Sequence, residues 1–148
     1  MARGKYSSVS GAASGEDSSV SGGFSNVSSA TDSSVSGGRA NIASGSQSSV
    51  SAGYWNTASE QFSSISGGEY NIANGAGSSV SGGSDNISSG THASISGGYS
   101  NEAGGIESSV SGGSGNTASG HQSSVSGGQN RSVTGQFDWK AGTYFQDY

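Results

Sequence analysis

Cysteine and proline are both absent from the 148 residues, and charge is scarce. Without cysteine there is no disulfide framework and no thiolate metal site, and nothing indicates a redox compartment. Without proline every backbone N–H is free to donate to a neighbouring strand. Five Lys or Arg stand against ten Asp or Glu, a net charge of −5. Nucleic-acid phosphates need clustered cations, so no nucleic-acid partner is expected. Apolar residues make up only 28%, and no run approaches the roughly 18 that cross a membrane as a helix. Membrane insertion is therefore not expected. The opening Met1-Ala2-Arg3-Gly4-Lys5-Tyr6 has two cations but no apolar stretch behind them, so it does not read as a secretory signal.

What the chain does have is 40 Ser and 28 Gly, close to half of its residues. By composition alone this is a flexible linker. The order of the residues argues otherwise. The element Ser-Ser-Val-Ser-Gly begins at Ser7 and Ser18, then every fifteen residues at Ser33, Ser48, Ser63, Ser78, Ala93, Ser108 and Ser123. The consensus is S-S-V-S-G-G-x-x-N-x-A-S-G-x-x, with position one the first Ser. Position three is always β-branched: Val9, Val20, Val35, Val50, Ile65, Val80, Ile95, Val110 and Val125. Position nine is Asn in seven successive units: Asn26, Asn41, Asn56, Asn71, Asn86, Asn101 and Asn116. Position eleven is small, Ser28, Ala43, Ala58, Ala73, Ser88, Ala103 and Ala118. A linker has no reason to keep such phase.

Fifteen residues are too few for a helix pair but suit one coil of a parallel β-solenoid with two short strands and two turns. Ser-Ser-Val-Ser predicts a strand with the aliphatic residue on one face and hydroxyls on the other. Gly-Gly-x-x-Asn predicts a turn in which Gly and Asn take positive φ. The x-Ala-Ser segment predicts a second strand, and Gly-x-x closes the coil. Stacking at about 4.8 Å per coil then gives a rod of about 40 Å from nine coils. Val or Ile at three should form an apolar ladder and Asn at nine an amide ladder.

The ends depart from the pattern, as terminal coils of a solenoid do. Residues 1–6 are a lead-in, residues 7–137 the repeats, and the first unit (7–17) is four residues short. In the last unit Asn130 comes one place early. Five of the twelve aromatics, Phe137, Trp139, Tyr144, Phe145 and Tyr148, fall in the last twelve residues, and a C-terminal cap is expected at 138–148.

Catalytic, metal and cofactor sites are not expected. His92 and His121 occupy different repeat positions, fifteen and fourteen, and no carboxylate spacing suggests a triad. The acids are scattered over turn positions and form neither a carboxylate pair nor a G-G-x-G-x-D calcium repeat. Gly4-Lys5-Tyr6 lacks the phosphate-loop spacing. Candidate contacts are instead the aromatics at positions seven and eight: Phe24, Tyr54, Trp55, Tyr70 and Tyr99. On an exposed turn such rings stack on sugars or proteins; equally, they pack on one another or in a seam between copies.

The phased S-V-S-G-G-x-x-N-x-A-S-G units resemble the left-handed parallel β-roll heads of trimeric autotransporter adhesins. They are also similar to Ser-Val-Ser-Gly-Gly repeats of phage tail fibres and bacterial surface proteins. The resemblance covers roughly Ser7 to Phe137 and implies a homotrimer of rolls packed side by side. The adhesin heads usually carry a second aliphatic residue two places after the Val, where this chain has Gly11, Gly22 and their equivalents. No segment resembles their coiled-coil stalk or membrane anchor, so a complete autotransporter is not expected. A thin core that lacks staples favours oligomerisation on physical grounds as well. Position ten offers a stripe, Val27, Ile42, Thr57, Ile72 and Ile87, that turns polar at Glu102, Thr117 and Ser132.

The leading expectation is a trimeric fibre or adhesin-head module, on a virion or cell surface, that contacts a glycan or protein receptor through variable turns. Its rivals are an ice-binding solenoid using the Ser-x-Ser array, against which the sparse, unphased Thr counts, and a self-assembling filament or scaffold.

Overall fold

The computed structural model describes residues 10–141, so Val9, Tyr144, Phe145 and Tyr148 lie outside the described residues. The described chain is all-β and winds into a parallel β-solenoid of about nine coils. Its eighteen strands form two nine-stranded sheets. One takes every odd strand, from β1 (Ser10–Ala13) and β3 (Phe24–Ser28) to β17 (Ser132–Val133). The other takes every even strand, from β2 (Ser19–Val20) to β18 (Trp139–Lys140). Each strand pairs with its equivalents one repeat away: Ser79 lies against Ser64 and Ser94, and Ile87 against Ile72 and Glu102. A third parallel row runs through position seven, from Phe24 by way of Arg39 and Tyr54 to Gln129.

Most strands are two residues long, and alternation puts one side chain in and one out. Val35, Val50, Ile65, Val80, Ile95, Val110 and Val125 stack inside, opposite Ala43, Ala58, Ala73, Ala103 and Ala118; Val20, in the first full coil, is only half-buried. Ser at position one also points in. The Oγ atoms of Ser33, Ser63 and Ser123 donate to the backbone carbonyls of Ala30, Glu60 and Gly120 at 2.6–2.7 Å. Hydroxyls therefore lie on both faces of this strand: the first Ser of each unit inside, the second and third outside.

Asn at position nine departs further from the turn role expected of it. Asn26 to Asn116 are buried, and the positive φ falls one residue earlier, on Ser25, Ala40, Trp55, Tyr70, Asp85, Ser100 and Gly115. The interior needs the amide more than the turn needs its φ tolerance. Asn71 shows the pattern. Its Nδ2 donates to the carbonyls of Gly67 in its own coil (3.1 Å) and Gly83 in the next (2.9 Å). Its Oδ1 accepts the backbone N–H of Asn86 at 3.0 Å and the Asn86 Nδ2 at 3.1 Å. The ladder stops at Arg131, whose backbone N–H donates to the Oδ1 of Asn116 at 2.9 Å.

Both ends continue the coil. In the short first unit the pairing shifts by one residue between Ser10 and Gly11, which pair with Phe24 and Asn26, so that Gly11 stands where later coils have Asn. At the other end β18 carries its sheet to Lys140, past the boundary expected after Phe137. Phe137 keeps an ordinary repeat position, with its N–H donated to the His121 carbonyl at 2.9 Å. Trp139 pairs with Ser124 and donates its indole N–H to Ser126 Oγ at 2.8 Å. Both rings are two-thirds exposed (66% and 67%), and residues 142–148 of the expected cap lie outside the described residues.

Two tests follow from this interior. Asn71→Ala leaves the Gly67 carbonyl and the Asn86 N–H, on two coils, without the partners given above, each worth about 1–3 kcal/mol; urea unfolding should show a loss of at least about 2 kcal/mol, and full retention would show that the amide is not what fastens the coils. Gly67 and Gly68 should behave oppositely. A Cβ on Gly67 meets nothing within 4 Å, and Ala52 already fills the equivalent place, whereas Gly68 sits at φ +87 facing the Gly83 carbonyl and the Asn71 amide. Gly67→Ala should change stability by less than about 0.5 kcal/mol and Gly68→Ala should cost more than about 2 kcal/mol in the same assay; equal costs would contradict the turn geometry.

Candidate functional site

The aromatic turn is built on a left-handed backbone. At position eight φ is 55° at Ala40 and 54° at both Trp55 and Tyr70. Each N–H donates to the position-seven carbonyl of the preceding coil: Ala40 to Phe24 (2.9 Å), Trp55 to Arg39 (3.0 Å), Tyr70 to Tyr54 (2.9 Å). A residue with a Cβ adopts this conformation at a cost of about 1–2 kcal/mol, and the bonds between coils hold it there. Asp85 and Ser100 adopt it too, so the strain belongs to the coil and not to the aromatics.

The side chains of this turn stand outside. Phe24, Tyr54 and Tyr99 share the position-seven row, and Trp55 and Tyr70 the neighbouring position-eight row. Four of these five rings meet in one cluster. The Arg39 guanidinium lies 5.4 Å from the Phe24 ring centre and 5.8 Å from that of Tyr54. Tyr54 in turn meets Trp55 edge-on at 6.3 Å and Tyr70 at 5.5 Å. Tyr99 stands apart, with Glu69 and Ser84 between it and Tyr54 in the row. The cluster borders an open groove of roughly 390 Å³, floored by Val27 and Ile42 and walled by Phe24, Arg39, Tyr54 and Trp55.

Arg39 escaped the sequence reading because attention went to rings. The signal was nonetheless present: it is the sole Lys or Arg between Lys5 and Arg131, and it shares a repeat position with Phe24 and Tyr54.

A second surface feature is uniform where this one is varied. Positions two and four, outward on the even-strand sheet, are Ser in all eight units from Ser18 to Ser123. The pair at positions seven and eight differs in every one of those units, from Phe24-Ser25 to Gln129-Asn130. The chain matches no protein-family model and no curated protein.

Within the cluster, partial burial pushes the Tyr70 phenol above its ordinary value, and the neighbouring Tyr54 adds to the effect ahead of Glu69 and Asp85. The folded chain thus keeps this phenol protonated to higher pH than the unfolded chain does. The stability gained is present below about pH 10 and is lost as pH rises through the raised value. In a tyrosinate absorbance titration, Tyr70→Phe should remove a step above the ordinary tyrosine range; an unchanged upper limb would refute the assignment.

Proposed function

We propose that the chain is a non-enzymatic rod, a trimeric fibre or adhesin-head module that presents its variable turns to a receptor at a virion or cell surface. The observation that supports this is the contrast between its faces. A surface that repeats identically in every coil suits a contact that runs the length of the rod, as between copies of the same chain. A surface that changes with every coil suits a contact peculiar to one place. The Ser face is of the first kind: small side chains let two backbones approach, and hydroxyls both donate and accept. The aromatic turn is of the second. The interior adds to the case, because one Val or Ile and one small residue per coil give a lone rod very little apolar core.

Ice binding is favoured by the same Ser face, a regular hydroxyl array with the pitch of the sheet. It lacks the methyl groups that Thr would supply. The two readings make opposite demands on that surface, since a trimer covers it and an ice-binding monomer exposes it.

Native mass therefore separates them. Light scattering on the full chain should give a species three times the 14.4 kDa protomer, and Ser64→Arg with Ser94→Arg, both on the Ser face, should break it into protomers. A monomeric wild type would remove the trimeric fibre reading, and thermal hysteresis in freezing solution would then support the ice-binding one.

A further inference from the structure

We infer that the groove between Phe24 and Trp55 is a binding site for a carboxylated sugar, with Arg39 holding the carboxylate and the aromatic rings stacking on the sugar. This rests on the receptor-contact part of the reading above and names the ligand class for it. Three observations carry the inference.

The first is the state of Arg39. Its guanidinium faces the Phe24 and Tyr54 rings at 5.4 and 5.8 Å, and among the described residues its side chain makes no hydrogen bond. Rings against the cation orient it without using its in-plane N–H fork, the part that grips a carboxylate with two parallel bonds. The next side chain along the row beyond Tyr54 is Glu69, so the cationic end of the groove is the Phe24 end.

The second is the form of the groove. Roughly 390 Å³ lies within the range of small-ligand sites, about 300–1,000 Å³, which are lined mainly by apolar and aromatic groups with a few polar ones placed to orient the ligand. Phe24 and Trp55 are 49% and 51% exposed, leaving ring surface available to the C–H face of a sugar.

The third distinguishes a sugar from a peptide. An extended peptide is held chiefly by main-chain hydrogen bonds to a free strand edge. Here every lining residue but Ser25 has its N–H donated to a neighbouring coil, at 2.8–3.0 Å. The site offers stacking surface, one charge and no run of backbone donors, which matches a ligand recognised through ring faces and a carboxylate.

The test uses the full chain carrying Trp139→Phe, so that Trp55 is the sole tryptophan. Trp55 fluorescence is titrated with oligogalacturonate and, in parallel, with a neutral galactan oligomer of the same length. Oligogalacturonate should shift the emission saturably with a Kd below about 1 mM. The neutral oligomer should bind at least about tenfold more weakly, and Arg39→Gln should bring the acidic oligomer down to that level. No saturation up to about 10 mM, equal binding of the two oligomers, or an unaffected Arg39→Gln variant would each overturn the inference. Tighter binding of an oligo-glutamate peptide than of oligogalacturonate would also overturn it, by reassigning the site to an acidic protein segment. Light scattering on the same samples separates the two readings: a trimer that binds no sugar removes only the ligand class, and a monomer that binds sugar removes only the trimeric rod.

Discussion

A solenoid coil this narrow has to solve a problem that larger folds avoid. Its turns leave backbone carbonyls pointing inward, there is no space for water to satisfy them, and a buried carbonyl without a partner costs as much as a lost hydrogen bond. The Asn side chain resolves this, because a carboxamide carries two donors and an acceptor in one small group. Asn41 Nδ2 closes its own turn on Gly37 and reaches Gly53 in the next coil, while its Oδ1 takes the Asn56 N–H. Much else is constrained by that arrangement. Position six has to be Gly because the Asn amide and the next Gly carbonyl occupy the space of a Cβ. Position eleven is small in the coils with Asn at position nine, and is Val133 in the last, where Arg131 stands at position nine instead.

The interior also shows where the repeat is imperfectly solved. Ser28 and Ser33 share a hydrogen bond at 2.7 Å across the core. In the equivalent place Ser88 faces a unit that begins with Ala93, and its buried hydroxyl has no partner among the described residues. Paired hydroxyls are sound where both partners are present; with one removed, the other bears the desolvation cost alone. The hydroxyls of Ser48 and Ser108, each next to an Ala at position eleven, are likewise buried without a partner among the described residues.

The fold was legible because phase is a property of the chain alone. Fifteen-residue spacing, β-branched residues at position three and the absence of proline together leave few alternatives to stacked coils. The burial of Asn was harder to read, since Asn is as common in turns as in ladders, and only the geometry shows the positive φ passing to Ala40 or Trp55 instead. Phe137 and Trp139 keep places in the repeat that were countable from the sequence. The aromatic cluster was half visible: the rings could be picked out by repeat position, but the insertion of Arg39 between two of them depends on adjacent coils bringing consecutive position-seven residues into contact.

The slip between Ser10 and Gly11 has a consequence for how such a chain can change. The pairing shifts by one residue there, and the sheet pairs on regardless, because all that one coil requires of its neighbour is the arrival of the same few atoms in register. Whole units can then be gained or lost by duplication and deletion within the gene without leaving a bond unmet, so the reach of the rod is set by copy number. Its interior is inherited unchanged with each copy, and the outward turns of each new unit begin as duplicates, free to diverge.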